Sequence, residues 1–193
     1  MALLSGLALT LLNGAFLEEL VATFNQALAQ LEQDLSQEGS QQLAFNALSV
    51  PQVAALLATG NAVIALMSLM LGRYWQAALY NPGGFGDEFR ALSLPREAVL
   101  IMAATATALW WMGPEWRVWS AVAVLPLTVV GFALAHAYAA QTGKGVTWLT
   151  LIYVVWIVLD PAKWVWVVCV VVDAFVNFRA KWSTKTGTDS KDV

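Results

Sequence analysis

Cysteine, histidine and charge are what this 193-residue sequence has least of. Cys169 is alone, so no intrachain disulfide can form and no cysteine-based metal site is available. Set inside an apolar run, it reads as a small apolar filler. His136 is the single histidine; with one Cys beside it in the inventory, a protein-only transition-metal site is not expected. Charged residues make up 12% of the chain, about half of what a soluble domain carries. The net charge of −3, with no basic patch before the C-terminal tail, argues against a nucleic-acid partner. There is no Gly-rich loop ending in Gly-Lys-Ser/Thr, no His-Glu-x-x-His and no Gly-x-Ser-x-Gly. Gly83-Gly84-Phe85-Gly86 lacks the preceding strand of a dinucleotide loop. No cofactor, no metal and no enzymatic activity is expected.

What is there is apolar. Hydrophobic residues form 59% of the chain, in runs separated by short polar breaks. A helix needs about 20 apolar residues to cross a hydrocarbon core of about 30 Å. The pattern predicts an all-α polytopic transmembrane bundle of six spans, near 1–17, 52–72, 97–112, 118–140, 146–159 and 164–180, forming a single domain over 1–182. The first begins abruptly, as if the start lay inside a longer protein. Arg73, Tyr74 and Trp75 close the second span as interfacial anchors do. Trp110, Trp111, Trp116 and Trp119 flank the Gly113-Pro114 turn, placing that hairpin in an interfacial belt. Asp160-Pro161-Ala162-Lys163 divides 146–181 into two short spans or a re-entrant pair, because proline breaks the hydrogen-bond ladder and a charged pair is costly at mid-membrane.

Between the first two spans the period changes. Leu17, Leu20, Val21, Phe24, Leu28, Leu31 and Leu35 make one stripe of an amphipathic helix over 18–35. It lies on the membrane, packs on the other helices or docks a partner; without Lys or Arg it is not a typical anionic-lipid binder. Ser36–Gln42 reads as a loop, and 183–193 as a disordered tail. The loop 80–96 holds Asn81-Pro82-Gly83-Gly84, which must turn, then Phe85, Phe89 and Leu92 on one side of a short helix.

Basic residues orient the bundle. Eight (Arg73, Arg90, Arg96, Lys144, Arg179, Lys181, Lys185 and Lys191) fall on one side under the six-span reading, and Arg117 and Lys163 on the other. The positive-inside rule then predicts a bacterial inner-membrane protein with both termini and the 80–96 loop in the cytoplasm and the amphipathic helix outside.

Polar groups within spans are the candidate ligand-binding residues. They are Asn61, His136, Asp173 and Asn177, with Thr105 and Thr107 beside Asn61 as groove-lining candidates. His136 and Asp173 lie at similar depth, so packing of their spans would make them either a proton-coupled or ligand-binding pair or an interhelical hydrogen bond. The loop residues Asn81, Pro82, Gly83, Gly84, Phe85, Phe89 and Arg90 are the candidate partner-contact set.

Tyr80–Pro95, together with Gly72-Arg73-Tyr74-Trp75-Gln76-Ala77 and Asp173-Ala174-Phe175-Val176-Asn177-Phe178-Arg179, resembles the YybS-like family of bacterial multi-pass membrane proteins. The resemblance implies additional spans on the N-terminal side. It also implies a distant similarity to the substrate-binding components of energy-coupling-factor vitamin transporters, which borrow an ATPase from partners. Two functions stay open on these grounds. One is a non-catalytic scaffold or assembly partner that uses the 80–96 loop. The other is a membrane component that binds a small molecule among its spans. The lipid bilayer is a partner in both.

Overall fold

The computed structural model describes residues 14–37 and 46–181. The expected span near 1–17, apart from its last residues, and the expected 183–193 tail lie outside them, as does most of the Ser36–Gln42 loop. Among the described residues there are helices and no strand. We number them α1 (Gly14–Gln37), α2 (Val50–Tyr80), α3 (Gly84–Ala91), α4 (Arg96–Trp111), α5 (Pro114–Thr142), α6 (Gly145–Val158) and α7 (Asp160–Val176).

Two helices are long and apolar enough to cross a membrane, α2 with 31 residues and α5 with 29. At 1.5 Å per residue each exceeds the ~30 Å hydrocarbon core. α3 with α4 and α6 with α7 pass the same test only as bent pairs, turning by 69° and 119°, so the described chain holds two to four candidate spans. The expected breaks at Asn81-Pro82 and Gly113-Pro114 occur; the one expected over Asp160–Lys163 falls at Leu159 instead, and these four residues form the first turn of α7, where a proline is tolerated. α2 runs past its Arg73–Trp75 anchors because nothing interrupts it before Asn81-Pro82. Gly113, at φ 115°, turns the chain into α5, which opens on Pro114. α5 continues through Pro126. α6 and α7 are separate helices that pack on each other from the Leu159 corner.

The chain divides into two units, Met1–Ala65 with Ala108–Val122, and Leu66–Thr107 with Ala123–Val193. In the first, Ala54, Ala55 and Ala58 of α2 leave room for the Trp119 indole, with Val122 completing the cluster. Leu17 of α1 and Val53 of α2 are fully buried. Asn25 clasps the chain before α2: its amide donates to the Leu48 carbonyl (3.1 Å) and its side-chain oxygen accepts the Leu48 N–H (2.7 Å). Gln52 Oε1 accepts the Ser49 N–H at 2.9 Å, one half of a capping box at the start of α2. The apolar stripe of α1 is only partly covered; Phe24 and Leu31 are exposed.

In the second unit, Val99, Leu127, Val130, Val167 and Val170 join α4, α5 and α7 in one apolar core. The small residues of α5 (Ala123, Gly131, Ala133, Ala135, Ala137 and Ala139) are buried. Such residues let helix backbones approach closely where lipid removes the usual hydrophobic drive. A Cβ on Gly131 would collide with the Trp166 indole, whose N–H donates to the Thr128 carbonyl at 3.3 Å.

Candidate functional site

The three segments that stand out in the sequence, 72–77, 80–95 and 173–179, converge on α3 within the second unit. α3 is a two-turn helix whose entry depends on two glycines. Gly83 takes φ 90°, a left-handed conformation that costs other residues. Gly84 is buried, and a Cβ there would run into the Asn81 side chain. Asn81, Pro82 and Gly83 form the exposed turn, while Phe85, Phe89 and Arg90 are half-buried.

Arg179 closes the other end. Asn177 adopts the left-handed conformation (φ 49°) and ends α7. Asparagine tolerates that conformation better than most residues. The chain reversal brings Arg179 back over the helix. Its Nη1 meets Asp173 Oδ2 at 3.0 Å, its Nε donates to the Arg90 carbonyl at 3.0 Å and its Nη2 to the Leu92 carbonyl at 3.0 Å. The Phe178 N–H supplies Asp173 Oδ1 at 2.9 Å. One planar fork thereby satisfies a buried carboxylate and two carbonyls that the end of α3 leaves without helical partners. The Asp173 and Arg179 side chains are 8% and 18% exposed, so this pair is the most enclosed polar feature among the described ion pairs.

The near side of α3 is held differently. Arg73 Nη2 lies 2.6 Å from both Glu88 carboxylate oxygens, and its Nη1 donates to Gln76 Oε1. Arg90 pairs with Asp87 one turn away. Below the charges runs a ladder of rings: Tyr74 edge-on to Phe85 (5.9 Å), Phe85 stacked on Phe89 (6.2 Å) and Phe89 edge-on to His136 (5.4 Å). His136 Nε2 then hydrogen-bonds the Tyr153 hydroxyl at 3.0 Å.

These placements decide which candidates meet. His136 and Asp173 do not pair; among the described residues His136 is bonded to Tyr153, and Asp173 to Arg179 and the Phe178 N–H. Asn177 serves the chain reversal, its Oδ1 accepting the Ala180 N–H at 3.4 Å. Asn61 is exposed near the middle of α2, with no side-chain hydrogen bond among the described residues. Thr107 bonds back to the Ala103 carbonyl of its own helix, as threonines in helices commonly do. No group of three or more metal-ligating side chains occurs among the described residues.

Sequence reasoning did not single out Tyr153 or give Arg179 its clamping role. The available signals were an Arg six residues after a span-buried Asp, and a lone phenol inside an otherwise hydroxyl-poor run. No known family model, curated protein or solved structure matches the chain.

Proposed function

We propose that this chain is a bacterial inner-membrane protein of YybS-like type that serves as a non-catalytic scaffold, with α3 as the element that docks a cytoplasmic protein partner. The observation that carries this reading is the way α3 is fixed. It is clamped by Arg179 at one end and by Arg73 at the side, and it rests on rings below. Its outward edge then presents Asp87, with an 80% exposed side chain, and the half-exposed Glu88. A rigid, charged helix costs little entropy to dock. Arg73, Arg90 and Arg179 meet in this one cluster, which supports placing them on the same side of the membrane, inside by charge.

The transporter-like alternative needs unspent polar groups among the spans. His136 and Asp173 spend theirs on Tyr153 and Arg179, which favours the scaffold. The test is purification in mild detergent with mass spectrometry of co-purifying proteins and small molecules. Asp87→Arg should release a stoichiometric protein partner that His136→Ala retains. A stoichiometric small molecule, lost on His136→Ala or Asp173→Asn, would replace the scaffold by the binding component.

A further inference from the structure

α6 and α7 diverge from the Leu159 corner with a turn of 119°, and α5 crosses the opening between them. Near the corner the opening is full. Phe132 of α5 packs on Tyr153 (4.7 Å), Trp156 (5.3 Å) and Trp166 (5.1 Å). Farther out it is not filled. A groove of about 320 Å³ remains, floored by Gly131, Ala135 and Tyr138 and walled by Trp148, Trp166 and Cys169. That volume is at the lower end of sites that hold small ligands, about 300–1,000 Å³. Gly131 and Ala135 carry little or no side chain, so the space between Tyr138 and the corner follows from the sequence of α5.

The groove has a direction. From Gly131 to Tyr138 it runs about 10 Å along α5 at 1.5 Å per residue. Lys144, just past the C-terminal end of α5, stands at the Tyr138 end. Its ammonium lies 5.2 Å from the Tyr138 ring centre and 4.7 Å from that of Trp148, and donates to the Tyr138 hydroxyl at 3.2 Å. Arg73, Arg90, Lys163 and Arg179 each pair with a carboxylate; Lys144, like Arg96 and Arg117, is held against rings with no carboxylate partner among the described residues, and of these three it is the one at the groove. An apolar slot running inward from an uncompensated cation matches one molecule type: a tail below and a negative headgroup above.

We propose that this groove holds one acyl chain of an anionic phospholipid whose phosphate sits on the Lys144 ammonium. The cation is held at the mouth by two rings, so it meets a headgroup without first being ordered. The chain replaces the side-chain contacts that α5 omits. The site does not depend on α3 docking a partner, and the two can fail separately.

Cys169 is the only cysteine in the chain and lies in the groove wall, so its reactivity reports occupancy. The full chain in dodecyl maltoside is titrated with phosphatidylglycerol or phosphatidylcholine, and the rate of Cys169 modification by N-ethylmaleimide is followed. Phosphatidylglycerol should protect Cys169 at about fivefold lower mole fraction than phosphatidylcholine, the factor one interfacial lysine supplies. Lys144→Gln should bring the two lipids together, and Lys144→Arg should keep them apart. Equal protection by both lipids in the unaltered chain, no protection by either, or a Lys144→Gln chain that still prefers phosphatidylglycerol would overturn the proposal.

Discussion

The two units of the chain hold themselves together by different means. The described part of the first relies on small-to-large packing, Trp119 against Ala54, Ala55 and Ala58, and on amide clasps at Asn25 and Gln52. Every ion pair among the described residues belongs to the second, as do the rings of the ladder below α3. Packing of the first kind asks only for volume. The second arrangement fixes orientation, because a guanidinium fork and stacked rings are satisfied in one geometry. The difference places the specified, outward-facing chemistry in the second unit and a plain structural fastening in the first.

The sharpest way to break this contrast is at Arg179. Arg179→Ala leaves Asp173 buried with an uncompensated charge and frees two carbonyls, and should lower stability by about 3 kcal/mol or more. Thermal unfolding in detergent measures it. Asp173→Asn, which keeps an acceptor for the Phe178 N–H, should cost distinctly less. Nearly as large an effect is expected in the first unit from Trp119→Ala, about 3 kcal/mol, because three alanines cannot close the cavity. If that change were harmless, packing would not be what holds the first unit. Gly131→Val should cost about 2 kcal/mol by forcing the Trp166 indole off the Thr128 carbonyl; near-ultraviolet circular dichroism would register the displaced indole. Asn25→Ala removes a reciprocal pair of hydrogen bonds and should cost about 1–2 kcal/mol, seen as faster proteolysis before α2. Smallest is Glu88→Gln. Its partner Arg73 and Glu88 itself are about half exposed, so the change should cost no more than about 1 kcal/mol. A larger loss there would mean that the near-side pair shares the role of Arg179.

Much of the fold was legible because the breakers are local. Asn81-Pro82-Gly83-Gly84, Gly113-Pro114 and Asp160-Pro161 all lie at helix boundaries here, the first after α2 and the prolines of the other two opening α5 and α7. The short helix carrying Phe85 and Phe89 was legible for the same reason; Leu92 falls just past its end. The number of spans was not, because hydropathy counts apolar residues without sensing the angle between successive helices. The expected meeting of His136 with Asp173 failed on a related point. Equal depth along two helices does not fix the face each side chain takes, and Asp173 faces Arg179, which the left-handed Asn177 returns to it. Asn61 was placed by depth alone and stands on an exposed face. The groove beside α5 was hidden because it is made of what is missing: small residues opposite two arms whose divergence no sequence period records.

The corner at Leu159 also constrains how the protein is made. α6 and α7 have 14 and 17 residues, so neither reaches the ~20 that let a helix partition into the bilayer alone. α5, with 29, can enter first and wait. Phe132 then offers the seat on which Tyr153 and Trp156 of one arm and Trp166 of the other meet, and a chain truncated after Val158 would leave α6 without the arm it packs on. Neither arm meets the length of a lone span, so whatever places this end of the protein must bring α5, α6 and α7 together.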